Sequence, residues 1–231
     1  MALTVTNVLT RAQDIIQDVT SVRWPVDELL RWLNDCRREI AIVRPDLYAT
    51  TNTVTLTLGS KQSLPAGGSR FLDAVRNVDA VTGDPEGAIR VVEREVLDAQ
   101  RPDWHTETPT TALKHFMFDE RNPRVYYVYP PAVSGHKLDI VYAVSPTEIT
   151  DLNAELTNED IYTGAMVDYL CYRAFSKDAE YAGNAGRAAS HYATFANALG
   201  LGNKVGLVVS PNTANVGGMM PRVGQAEMAA R

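Results

Sequence analysis

Cysteine is scarce in this 231-residue chain: Cys36 and Cys171 are the only two. That is too few for a disulfide framework and in keeping with synthesis in a reducing cytoplasm. Basic residues are the minority among charges, 22 Lys+Arg against 28 Asp+Glu, for a formal charge of −6. A chain of that sign does not grip nucleic acid by neutralising phosphates. Long apolar runs are missing, and none reaches the roughly 18 residues that a membrane-spanning helix needs. The opening Met-Ala-Leu-Thr-Val-Thr has neither the basic nor the apolar region of a secretory leader. What remains is a hydrophobic fraction of 45% and a charged fraction of 22%. Those are ordinary globular values, in a length that allows one sizeable domain or two small ones.

Catalytic signatures are also short. There is no G-x-S-x-G elbow and no G-x-G-x-x-G after any strand-like run. Gly59-Ser60-Lys61 is like the end of a phosphate loop but lacks the upstream glycine. His105, His115, His136 and His191 share no ligand spacing and have no C-x-x-C companion, so no metal is expected. Asp73, Asp79, Asp84 and Asp98 lack the alternation of a calcium loop. Two remote carboxylates can still meet in space as in a glycosidase, with Asp139, Asp119 and Glu120 as candidates beside aromatic strands. Solvated turns and strand ends are the plainer reading of these three. Trp24, Trp32 and Trp104 with Tyr126, Tyr127 and Tyr129 could form a sugar platform, although such residues are more often core and interface anchors.

The residues that are present speak first of helices. Val5, Val8, Leu9, Ala12, Ile15, Ile16 and Val19 recur at three- and four-residue intervals, one apolar stripe. Thr20 and Ser21 break it. A second helix is expected from Trp24-Pro25, with Pro25 in the first turn and Asp27 and Glu28 complementing the helix dipole. Val26, Leu29, Leu30, Leu33, Cys36, Ile40 and Val43 form its apolar face, and Pro45 stops it. So short a link predicts an antiparallel pair.

The period then drops to two. Val54, Leu56 and Leu58 alternate with Thr53, Thr55 and Thr57, the pattern of a half-buried strand. Further strands are expected at Phe71–Val81, Ala88–Val92, Ala112–Phe118, Arg124–Tyr129 and Lys137–Val144, with turns at Gly83–Gly87, Arg121–Pro123 and Ser134-Gly135. Glu93–Gln100 reads as a short helix. Short loops imply antiparallel pairing. Val125, Tyr127 and Tyr129 face one way and Tyr126 and Val128 the other, which makes that strand central.

Helical spacing resumes near Thr157, where Asp160 three residues later resembles a capping box. Tyr162, Met166, Tyr169, Leu170 and Ala174 share one face before a break at Ser176-Lys177-Asp178. Ala185, Ala188, Ala189, Tyr192, Phe195, Ala196 and Leu199 form the packing face of the next helix, and Gly200 closes it. Residues 204–231 differ in kind, with six Gly or Pro and no aromatic residue. Lys204, Arg222 and Arg231 against Glu227 make this segment +2, leaving −8 on residues 1–203. It is either a disordered end or an arm that orders on a partner. The expected fold class is therefore α+β. A bundle of N- and C-terminal helices (1–48 and 155–203) carries an inserted antiparallel β-sandwich-like module (49–150) and an extended C-terminal tail (204–231).

Three stretches resemble one known family. They are Val22-Arg23-Trp24-Pro25-Val26-Asp27-Glu28-Leu29-Leu30-Arg31-Trp32-Leu33-Asn34-Asp35-Cys36-Arg37-Arg38-Glu39-Ile40; Arg94-Glu95-Val96-Leu97-Asp98 with Pro102 and Trp104; and Tyr172 through Ala185, continuing by His191-Tyr192 and Phe195 to Leu199-Gly200. Together they are similar to the phage adaptor proteins, the head-to-tail connectors or tail tubular proteins A of short-tailed bacteriophages.

The resemblance implies a structural virion protein with no cofactor, no membrane partner and no reacting centre. It would be made in the host cytoplasm and placed at the capsid vertex. About twelve copies would form a ring between the portal protein and the tail nozzle protein, with DNA passing through unbound. Under that reading Ala185, Ala189, Tyr192 and Trp32 are expected at the ring interface. Leu207, Val208, Val209, Met219, Met220, Arg222 and Arg231 are expected on the portal, and the loops at Asp84, Pro85, Glu86 and Asn122 on the nozzle. The rival reading is a virion-associated glycan or peptidoglycan hydrolase, or a sugar-binding module, using the aromatic β insert.

Overall fold

Apolar residues at helical spacing occupy both ends of the chain and strand-forming residues its middle, and two separate hydrophobic cores follow from that division. A computed structural model describes residues 3–157, 159–181 and 183–209, of which 201–209 are described as helix backbone. Four helices build the first core: α1 (Val5–Ile16), α2 (Val26–Val43), α4 (Thr163–Lys177) and α5 (Asn184–Val209). A short helix, α3 (Arg94–Gln100), lies in the middle of the chain. Helix α4 is the centre of the bundle. Its Met166, Tyr169, Leu170 and Ala174 are buried, and α1, α2 and α5 all pack on it. Helices α1 and α2 touch each other little and each packs mainly on α4.

Local chemistry explains the helix ends. Thr4 and Asn7 form a reciprocal capping box at the start of α1, and the N–H groups of Val5 and Thr6 donate to the carbonyls of Ala154 and Leu152. Pro25 is the N-cap of α2 rather than a first-turn residue, and its carbonyl accepts from the N–H of Glu28 and Leu29. The capping box expected at Thr157 and Asp160 does not form. A 3₁₀ turn over Asp160–Tyr162 precedes α4, which begins at Thr163. Helix α5 does not close at Gly200 but continues to Val209.

The β strands form two four-stranded sheets. The first has the order β1 (Ala49–Thr55), β8 (Lys137–Val144), β3 (Gly68–Val78), β4 (Pro85–Ala88), all antiparallel. The second has β2 (Gly59–Ser63), β7 (Val125–Ala132), β6 (His115–Phe118), β5 (Arg90–Val91), and its β5–β6 pair is parallel. Phe71, Leu138, Ile140 and Tyr142 from one sheet meet Phe116, Tyr126 and Val128 from the other in the second core. Phe71 stacks on Tyr126 with centroids 4.6 Å apart. Strand β7 is interior, as its two apolar faces require. Tyr126 and Val128 point into the sandwich, while Tyr127 and Tyr129 pack on a small outer cluster of Leu97, Trp104 and Met117. Strand β7 also runs on through Pro130 and Pro131, because only carbonyls are used there: Lys114 N–H donates to Tyr129 and Thr110 N–H to Pro131.

Register fixes which end of the sandwich meets the helices. Strand β1 leaves a 3₁₀ turn (Pro45–Tyr48) directly after α2, and Val144 at the end of β8 packs against both cores. Ala49 pairs with Ala143 and Gly68 with Val144 at this junction end, whereas Thr55, Lys137 and Val78 share the far end. The two ends of β3 are about 30 Å apart at strand rise.

Candidate functional site

Two polar residues interrupt the apolar face of α2, and they hold the segment returning from the sheets to the helices. Arg37 donates through Nε to both carboxylate oxygens of Glu159, at 3.0 and 2.8 Å, and through Nη1 to the Thr147 carbonyl at 2.6 Å. Both side chains are nearly removed from solvent, 10% and 4% exposed. Tyr48 OH donates to the same carboxylate, and burial followed by this contact raises the phenol well above its ordinary value. One turn earlier on α2, Asn34 pairs with the backbone of Ile149 as a strand neighbour would: Nδ2 donates to its carbonyl and Oδ1 accepts from its N–H, each at 2.9 Å. Buried ion pairs that also satisfy their remaining hydrogen bonds fix geometry more than they add stability. Arg37 and Asn34 thus tie the segment that follows β8 to α2 at the joint between β module and bundle. Sequence reasoning gave these residues no role. The available signal was two polar side chains, three apart, on an otherwise apolar stripe.

A second polar joint lies at the far end. Asn77 is buried and uses its whole amide: Nδ2 donates to the carbonyls of Gly87 and Leu113, and Oδ1 accepts from Leu113 N–H and from His136 Nε2. It ties β3, β4, the segment leading to β6 and the β7–β8 turn into one unit.

The expected ring-interface residues divide. Among the seven residues expected on the packing face of α5, only Ala188, Phe195 and Leu199 are buried. Ala185, Ala189 and Ala196 are exposed, with Ala193 beside them, and Tyr192 is 44% exposed. Helix α5 leans on α4 and only slightly on α2, so a single narrow line of contacts suffices and the remaining alanines turn outward. Trp32 is different. It lies in the helical core, with its ring 5.7 Å from that of Trp24 and the Arg173 guanidinium over it. Its surface is already covered by its own chain.

The expected nozzle loops divide as well. Asp84, Pro85 and Glu86 are exposed in and after the 79–84 turn at the far end of the sandwich, with Val81 92% exposed at its tip. Asn122 is exposed but sits in the β6–β7 turn, whose Pro123 carbonyl accepts from Phe71 N–H near the start of β3. It belongs to the junction end, so these loops cannot form one surface.

The residues of the rival reading are apart and engaged. Asp139 accepts from Thr53 Oγ1 at 2.6 Å and from Arg76 Nε at 2.8 Å, cross-linking β1, β8 and β3. Glu120 pairs with Arg70, and Asp119 accepts from Arg121 N–H in its own turn. The aromatic residues fall into three separate places, Trp24 and Trp32 in the bundle core, Tyr126 in the sandwich core, Trp104 with Tyr127 and Tyr129 in the small cluster outside it. No sugar platform is assembled from them. Burial pushes the Cys36 thiol well up and the Cys171 thiol up to about 12, so both behave as small core residues. Among the described residues there is no group of three or more His, Cys, Asp or Glu that could hold a metal ion. None of their helices is long and apolar enough to cross a membrane. Leu207, Val208 and Val209 fall in the backbone-only part of α5, and Met219, Met220, Arg222 and Arg231 lie outside the described residues.

Among the described residues the features brought together are two polar joints, an exposed alanine-rich flank of α5 and exposed turns at opposite ends of the sandwich. A family model described as SU10 adaptor protein matches residues 3–215, and the chain belongs to that family of phage adaptor proteins. Membership makes it a structural component of a phage particle. No curated protein matches the chain.

Proposed function

We propose that about twelve copies of this chain close into a ring at the capsid vertex, between the portal protein and the tail nozzle, with the genome passing through the centre. The observation that carries this reading is the family match over residues 3–215, which spans both helical ends and the β insert. Two features support it. The flank of α5 with Ala185, Ala189 and Ala196 is exposed, beside Tyr192, whose ring packs on Tyr172 but is 44% exposed, and small side chains permit close helix approach. A ring requires such a face to meet a different face of the next copy. The formal charge of −6 lets DNA slide past without phosphate contacts.

In this arrangement the far-end turn with Asp84, Pro85 and Glu86 meets the nozzle. Residues 204–231, with Leu207, Val208, Val209, Met219, Met220, Arg222 and Arg231, reach the portal. Trp32 takes no part, and Asn122 faces the junction rather than the nozzle. The test is deletion of residues 204–231 followed by binding to purified portal rings. The shortened protein keeps its fold and loses portal attachment. Unchanged affinity for portal rings contradicts this role for the tail.

A further inference from the structure

A buried carboxylate and left-handed backbone are both costly, and they persist only where the surrounding contacts hold them. The turn between α1 and α2 has both. Asp18 is buried, and its carboxylate accepts from the backbone N–H of Val22, Arg23 and Trp24. Its own N–H donates to the Gln13 carbonyl, and Gln13 Nε2 donates to Ser21 Oγ at 2.6 Å. Gln17 and Ser21 are left-handed on either side of it. The product is a fixed turn that leaves two apolar side chains in solvent: Val19 is 66% and Val22 83% exposed.

A third apolar side chain is held beside them. Arg23 pairs with Asp178 and places its guanidinium 5.3 Å from the centre of the Tyr181 ring, which is 63% exposed. The Tyr181 carbonyl accepts from Asn184 N–H where α5 begins, so the surface runs on into Ala185 and Ala189 of the α5 flank. Apolar residues scattered singly need no explanation, but several together with an aromatic ring mark a contact site. With Tyr192, Ala185, Ala189 and Ala196 these side chains expose on the order of 700 Å², near the roughly 800 Å² that each partner gives to a standard interface.

Charge says which partner fits. Helix α5 has no Asp, Glu, Lys or Arg from Ala188 to Gly200. At the turn, Arg23 and Lys177 are each held by a carboxylate, Asp178 and Glu28, while the exposed Asp27 and Glu180 border it as a polar rim. Copies of one chain share a formal charge of −6 and repel, so they meet most readily where charge is sparse. A second copy is the occupant this surface suits.

We infer that the α1–α2 turn with Val19 and Val22, and Tyr181 beside it, seat on the neighbouring copy in the ring and supply the apolar anchors of the contact that the α5 flank begins. This rests on the ring reading and deepens it. None of the residues assigned to the portal or the nozzle is used.

A double variant, Val19→Asp with Val22→Asp, tests it. Both positions are exposed, so its melting temperature is expected to match that of the natural protein. Ring formation on portal rings, followed by electron microscopy, is expected to need about tenfold more protein or to fail. Val81→Asp, at an exposed valine on the far end of the sandwich, is expected to assemble as the natural chain does. Normal rings from the double variant overturn the inference while the ring itself stands. Failure of the natural chain to form any ring removes the ring reading, a separate outcome. Contact with a copy is told from contact with the portal by attaching benzophenone-maleimide to Val22→Cys protein and illuminating the assembled rings. The expected product is two copies of this chain joined together. A product joining this chain to the portal protein, or no joined product, overturns the inference. The native cysteines are buried and do not compete.

Discussion

Arg37 and Glu159 stand 122 residues apart in sequence and meet through two hydrogen bonds at 3.0 and 2.8 Å in the interior of the junction. One belongs to the second helix and the other to the segment entering α4, so the pair closes the loop that contains the whole β module. Removing one partner leaves a buried charge without a counterpart. Arg37→Met is expected to destabilise the protein by about 3–5 kcal/mol, and Arg37→Met with Glu159→Met by less than either change alone. Urea unfolding of the three variants measures this. A single-variant loss below about 1 kcal/mol contradicts the role of the pair.

The link between α1 and α2 depends on Asp18. Its buried carboxylate accepts from the backbone N–H of Val22, Arg23 and Trp24 at 3.0, 2.9 and 2.7 Å. Around it Gln17 and Ser21 adopt left-handed backbone, φ 56° and 54°. Asp18→Ala leaves those donors unsatisfied and is expected to cost about 2–3 kcal/mol, with Asp18→Asn between it and the natural protein. Equal denaturation midpoints for all three would show that water replaces the carboxylate freely.

Acid should loosen the far end of the sandwich. Burial holds the His136 imidazole below its ordinary value of 6.5, and nearby Glu86 and Asp79 offset this only in part. The unfolded chain therefore binds this proton more readily than the folded one. The stability contributed by neutral His136 is complete above pH 6.5 and falls as pH drops through that value. Thermal melts between pH 8 and pH 5.5 should show a decline that is reduced in His136→Gln, whose amide can still donate to Asn77 Oδ1. The same slope in both proteins would exclude His136 as its source.

The α5 face gives a change that separates folding from assembly. Ala189 is exposed, so Ala189→Glu should alter stability by less than about 0.5 kcal/mol. Placed between copies, the same carboxylate would be buried without a partner and should abolish ring formation. Rings of normal number and stability from Ala189→Glu protein would move the interface elsewhere.

Helical and strand periods carried most of the architecture. The face of α4 and the span of β8 were legible because each buries a regular apolar pattern, whereas the expected stripes of α1 and α2 run past their cores: Ile15, Val19 and Val43 are exposed, and Val19 lies beyond the end of α1. What escaped notice has physical causes. Strand β2, Gly-Ser-Lys-Gln-Ser, has no apolar alternation because Gln62 is buried by hydrogen bonds to its own turn. The outward turn of Ala185, Ala189 and Ala196 could not be told from an inward one, since alanine suits either side of a helix. Trp32 looked like an interface anchor because aromatic residues serve cores and interfaces alike. Asn34, Arg37, Asn77 and His136 act through partners remote in sequence, so only folding reveals them. The family, by contrast, was legible in residues 22–40 and 172–200.

Cryo-electron microscopy of the protein bound to portal rings, reconstructed without imposed symmetry, bears most directly on the central claim. The account predicts a closed collar of about twelve copies with Ala185, Ala189 and Ala196 of each α5 against its neighbour and the 79–84 turns directed away from the portal. Single unassembled globules, or a collar whose α5 faces are open to solvent, would contradict it.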